Sequence, residues 1–150
     1  MLLNRNTIFP AAVTAKPIQY ALGALRRDFD RIFAATAAPG GRLRLTINHT
    51  LAAEQYTLTA GTDTLLLSAS DDLGFVYGLF EISRHFLGVQ PFWFWNDQPF
   101  EVRESVKIPT NTVIESKPAR VTYRGWFIND EMLLSHWKVE RRRPALYHDV

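Results

Sequence analysis

Between residues 16 and 36 apolar side chains recur at steps of three and four: Ile18, Leu22, Leu25, Phe29, Ile32 and Phe33. Arg26, Arg27, Asp28, Asp30 and Arg31 fill the other face, so the spacing predicts an amphipathic helix with Pro17 in its first turn. Pro39-Gly40-Gly41 then ends it. Across residues 42–48 the period changes to two, with Leu43, Leu45 and Ile47 alternating against Arg42, Arg44 and Thr46, as in a half-buried strand. Residues 55–60 and 64–69 are β-rich runs on either side of Gly61-Thr62-Asp63, and they predict a hairpin.

Ser70-Asp71-Asp72 supplies an N-cap and acidic first-turn residues for a second helix that runs to Leu87, with Gly88 as the residue that closes it. Leu73, Val76, Tyr77, Phe80 and Ile82 are its expected buried positions. Gly74 and Gly78 lie four apart on one stripe, and each costs about 1 kcal/mol in helix propensity. A close approach of helix to sheet is the compensation expected for them. Glu81, Arg84 and His85 share a face at spacings that let Glu81 pair with either base, which makes His85 a solvated partner and not a ligand.

Beyond Gly88 the pattern loosens. Val89-Gln90-Pro91-Phe92-Trp93-Phe94-Trp95-Asn96-Asp97 leads into a tract punctuated by Pro99, Pro109 and Pro118, whose Val102, Val106, Ile108, Val113 and Ile114 fit short extended pieces. It reads as a connector that stays packed. Residues 121–128 are strand-like, run into Asn129-Asp130-Glu131, and precede a helical segment that Pro144 ends. The order helix, strand, strand, strand, helix predicts an α+β sandwich, a small and mostly antiparallel sheet covered by helices. The last strand and helix cannot bury themselves and look like the opening of something larger.

Composition narrows the function classes. At 150 residues, 47% hydrophobic and 21% charged, the chain can bury a core without metal or disulfide. It contains no Cys, which excludes a disulfide scaffold, a Cys-ligated zinc site and a thiol nucleophile. Its apolar runs stop short of the roughly 20 residues of a membrane-spanning helix, so no membrane partner is expected. No signal peptide stands at Met1-Leu2-Leu3-Asn4-Arg5-Asn6, although a secreted or periplasmic location stays open for a longer protein. Seventeen basic residues face fifteen acidic ones, and Lys138, Arg141, Arg142 and Arg143 sit together. The rest of the chain is close to neutral, without the broad basic field of a nucleic-acid binder.

Three constellations could carry chemistry. Asn129-Asp130-Glu131 ends a predicted strand, where an α/β barrel presents its active site. The same triplet is also an ordinary N-cap with an acidic first turn, and on the residues alone that is the commoner use. Phe92-Trp93-Phe94-Trp95 could offer tryptophans to a sugar ring, but core packing is the usual fate of such residues. The cluster 138–143, with Tyr147 and His148 after it, fits a solvated helix end better than a phosphate site. The four histidines show no ligand spacing, and no metal or other cofactor is expected.

The segment Ser68-Ala69-Ser70-Asp71-Asp72-Leu73-Gly74-Phe75-Val76-Tyr77-Gly78-Leu79-Phe80-Glu81-Ile82-Ser83 resembles the G-x-D-x-x-G-x-x-Y-G strand-to-helix passage of the α/β domain that precedes the barrel in several glycoside hydrolase families. Residues 87–97 and 121–131 are similar to the corresponding stretches of glycoside hydrolase family 115, the xylan α-1,2-glucuronidases. The resemblance implies that residues 1–118 are a non-catalytic N-terminal domain and that 119–150 open a (β/α)8 barrel, which takes about 250 residues in all. It makes Asp130 and Glu131 the catalytic candidates and Asn129, Arg124 and Trp126 the substrate-binding ones, reversing the order of the two uses of the triplet. The implied partner of the complete protein is glucuronoxylan or a related uronic-acid-bearing polysaccharide. Glycoside hydrolysis needs two carboxyl groups about 5–9.5 Å apart across the scissile bond, so these residues alone are expected to be inactive. A free-standing carbohydrate-binding or protein-interaction module is the alternative.

Overall fold

In a computed structural model, residues 1–93 and 97–125 are described, and the chain forms two compact units, Met1–Ala119 and Arg120–Val150. The first unit is built on a four-stranded sheet. Strand β2 (Arg42–Ile47) pairs in parallel with β4 (Thr64–Ala69), which pairs antiparallel with β3 (Tyr56–Ala60); β6 (Val113–Glu115) then joins the free edge of β3, also antiparallel. The expected hairpin is β3–β4. Two of the three pairings are antiparallel, as an α+β fold with a mostly antiparallel sheet requires. A second, two-stranded sheet joins β1 (Leu2–Leu3) to β5 (Val106–Lys107). The Pro-punctuated tract is thus more than a connector, because it lends a strand to each sheet.

Helix α1 (Lys16–Ile32) carries Pro17 in its first turn, as the sequence predicts. It stops four residues earlier than expected. The Arg103 N–H donates to the Ile32 carbonyl and the Ala34 N–H donates to the Arg103 carbonyl, both within 2.9 Å. This extended neighbour pulls Phe33 out of helical conformation, a long-range constraint that helical periodicity does not register. Asp28 is also misplaced by the sequence reading: it is not on the polar face but buried with Leu25 and Ile32.

Helix α2 (Asp72–Ile82) begins at Asp71, whose side chain accepts from the Gly74 N–H at 2.8 Å and from the Glu54 N–H at 2.8 Å. The helix continues into a π-helical turn, Ser83–Leu87, closed by Gly88 at φ 75°. The N–H groups of Gly88 and Val89 both donate to the Ser83 carbonyl, and the left-handed backbone this needs suits glycine.

The buried face of α2 corrects the sequence reading. Gly74, Phe75, Gly78, Leu79 and Ile82 face inward, while Leu73, Tyr77 and Phe80 are exposed. The helix is apolar nearly all round, so hydrophobicity alone does not choose its inner side. The glycines do. A Cβ at Gly74 would lie 2.6 Å from the Gln55 carbonyl oxygen, and one at Gly78 would collide with the Leu67 side chain. The close approach inferred from the two glycines is therefore real, and it is what rotates the bulky residues outward. Beneath them Leu67 and Ala69 on β4 and Leu58 on β3 are fully buried.

Candidate functional site

The residues that carry the predicted chemistry fall largely beyond the described part of the chain. Trp126, Asn129, Asp130 and Glu131 lie outside the described residues, as do Phe94, Trp95 and the basic cluster 138–143. Arg124 is described: it is exposed, and its Nη1 donates to the Val121 carbonyl at 2.7 Å. Residues 121–125 form no strand, contrary to the expected start of one at Val121, and the Tyr123 side chain is 93% exposed. A strand needs a neighbour for its backbone N–H and C=O groups, and no ladder partner for 121–125 exists among the described residues.

Three of the polar clusters in the first unit involve α2 or the π-helical turn that follows it. The first surrounds Asp71, which links the start of α2 to Glu54, itself at φ 64° just before β3. Asp71, Gly74, Tyr77 and Gly78 match fixed positions of the glycosidase-like segment, with Ala69 in place of its first glycine; Tyr77 is exposed, and the other three serve packing. Asp71 caps the helix, Gly74 lets it approach the Gln55 backbone, and Gly78 lets it approach Leu67. That segment is a device for seating a helix on a hairpin.

The second cluster is Asp28 with Ser83. The Ser83 hydroxyl donates to Asp28 Oδ2 at 2.7 Å, and Arg31 Nη1 lies 3.4 Å from Oδ1. Burial raises the Asp28 carboxyl above the usual aspartate value, opposed by the Ser83 hydrogen bond and then by the charges of Arg31 and Arg27. The guanidinium of Arg31 also covers the Trp93 ring at 4.0 Å from its centroid, and Trp93 meets Phe100 edge to face. Pro91, Phe92 and Trp93 form a turn and not the strand considered for the aromatic run, with Phe92 at φ 61°. Trp93 belongs to the packing around the core, in line with the commoner fate of such residues. The sequence signal for Asp28 was available: it follows Leu25 by three residues and precedes Ile32 by four.

The third cluster joins Glu81, Arg84 and His85 as the spacing predicts. Arg84 Nε and Nη2 donate to the two Glu81 carboxylate oxygens at 2.8 and 2.6 Å, and His85 Nδ1 lies 3.7 Å from Oε1. Nearby on β3, burial and then the Glu81 charge push the Tyr56 hydroxyl up to about 12. These are helix-surface pairs at the edge of the fold. Among the described residues no group of three or more His, Asp or Glu side chains could hold a metal ion, and no helix is long and apolar enough to cross a membrane.

Superposed on solved structures, this chain is similar over 96% of its length to a family GH115 4-O-methyl-α-glucuronidase with specificity for decorated arabinogalactans, with a TM-score of 0.74 and 24% identity. The fold is that of part of a GH115 enzyme. The similarity covers 22% of that enzyme, so the chain spans about a fifth of its length. No protein-family profile and no curated protein sequence matches the chain. The resemblance read from three short segments thus has its counterpart in the fold.

Proposed function

We propose that this chain is the N-terminal part of a longer glycoside hydrolase resembling family 115. Residues 1–118 serve as the non-catalytic domain, and 119–150 begin the catalytic (β/α)8 barrel. The complete enzyme removes glucuronic acid or its 4-O-methyl ether from xylan or a related uronic-acid-bearing polysaccharide. The observation that carries the reading is the architecture shared over 96% of the chain with a 4-O-methyl-α-glucuronidase specific for decorated arabinogalactans.

In this reading Asp130 and Glu131 stand at the carboxyl end of the first barrel strand, with Asn129, Arg124 and Trp126 contacting the sugar. Adjacent carboxylates on a regular strand point to opposite sides, so a second catalytic group has to come from a later strand. The 150 residues alone are accordingly inactive. The clusters around Asp71 and Asp28 support a scaffolding role for the first unit, since each ties one element to another and none forms a pair spaced for hydrolysis.

The test compares the 150-residue chain with the product of the complete reading frame, measuring uronic acid released from glucuronoxylan and from a decorated arabinogalactan. Release by the longer protein only, abolished by Asp130→Asn with the fold intact, is the expected result. Inert full-length protein, or full activity in Asp130→Asn, would overturn the assignment.

A further inference from the structure

Helix α2 packs on one side of the four-stranded sheet, the side of Leu43, Leu58, Ala60, Leu65 and Leu67. Strand alternation puts the intervening residues on the other face. There the register lines up two rungs: Thr46, Ser68, Thr57 and Glu115 in one, Arg44, Leu66, Thr59 and Val113 in the next, with Arg42 beyond. Arg42, Arg44 and Thr46 are exposed or partly so, and the rest are partly buried.

Two features of this face point to a ligand. Arg42 and Arg44 stand two residues apart on one strand, about 7 Å between Cα atoms. Among the described residues neither guanidinium makes an ion pair or a side-chain hydrogen bond. Two acids border this face: Asp63, whose carbonyl accepts from the Arg42 N–H and whose carboxylate accepts from the Thr64 hydroxyl, and Glu115, beside Thr57 on β6 and three strand spacings or about 14 Å from β2. The second feature is the hydroxyl rung, which offers donors and acceptors on a flat surface beside the two cations.

We propose that this face of the sheet, turned away from α2, binds acidic polysaccharide, Arg42 and Arg44 taking a uronate carboxylate and the Thr46, Ser68 and Thr57 hydroxyls taking the neighbouring sugar. Planar guanidinium groups match carboxylates in a two-point geometry that ammonium groups do not, and ring hydroxyls suit side chains that both give and accept. Two cations on a face whose hydroxyl rung ends at Glu115 are too sparse for a nucleic-acid backbone, which wants many phosphate contacts. The inference rests on the proposed function and deepens it: the non-catalytic domain holds the substrate polymer.

The experiment measures binding of the 150-residue chain to glucuronoxylan, to the same polymer with its carboxyl groups reduced, and to duplex DNA, at one low salt concentration. Arg42→Gln/Arg44→Gln is expected to bind glucuronoxylan about tenfold more weakly with unchanged thermal unfolding, and the reduced polymer to bind both proteins equally poorly. Lys16→Gln, on α1, serves as the charge control and is expected to bind as the parent does. Equal affinity in the double variant, an equal loss in Lys16→Gln, or tighter binding of DNA than of glucuronoxylan would overturn the proposal. Arginine-dependent binding without glucuronidase activity in the longer protein would retain this surface and remove the catalytic reading. Activity with arginine-independent binding would do the reverse.

Discussion

The Ser83 hydroxyl reaches across 55 positions of sequence to donate to Asp28 Oδ2 at 2.7 Å, fastening helix α1 to the π-helical turn after α2. It leaves a carboxyl group buried between two elements, and its protonation is coupled to folding. Because burial raises the folded-state value above the ordinary 3.8, the folded protein holds this proton more tightly than the unfolded chain does. Stability from this group is therefore fully present below about pH 3.8 and is lost as pH rises through the raised folded value.

Asp28→Asn removes that dependence. The difference in urea midpoint between the parent and the variant should move against the parent as pH rises from about 3.8 through the raised folded-state value, and then stay level. A difference that does not vary with pH would show that Asp28 titrates alike folded and unfolded. Ser83→Ala takes away the strongest influence that lowers this carboxyl, so its folded-state value rises further, and stability at pH 7 falls by about 1–3 kcal/mol.

Gly78→Ala gains about 1 kcal/mol of helix propensity but drives a methyl group into Leu67, and the net result should be a loss of about 1–3 kcal/mol. Combined with Leu67→Ala, the loss should fall well short of the sum of the two single changes, because each makes room for the other. Gly74→Ala should resist any such rescue, since the obstructing atom is the Gln55 backbone oxygen. Chemical denaturation of the single and double variants reads both outcomes.

Asp71→Ala leaves two N–H groups, of Gly74 and Glu54, without their carboxylate partner and should cost about 1–2 kcal/mol. Asp71→Asn keeps one acceptor oxygen and should recover roughly half of this in the same denaturation series. Arg84→Ala, which removes the two-point partner of the mostly covered Glu81 carboxylate, should cost about 1 kcal/mol.

The orientation of α2 is checked by two substitutions on opposite sides. Leu73→Gln, at a position 45% exposed, should shift stability by no more than about 0.5 kcal/mol, whereas Leu79→Ala, fully buried, should cost about 2–5 kcal/mol. Similar costs at both sites would mean that the outer face of the helix is covered.

Local patterns in the sequence were enough for the elements whose logic is local. The hairpin at Gly61-Thr62-Asp63, the Asp71 cap, the Gly88 stop and the Glu81, Arg84, His85 cluster each depend on residues a few positions apart. The two glycines of α2 even announced that the helix would press against the sheet. Tertiary structure decided what depends on distant neighbours: which side of an all-round apolar helix faces inward, where Arg103 ends α1, how β6 joins β3, and that Asp28 goes inside to meet Ser83. Periodicity reports only the contrast between polar and apolar faces of one element. Orientation and strand partnership are set instead by steric fit and by backbone groups seeking hydrogen bonds, and those partners come from elsewhere in the chain.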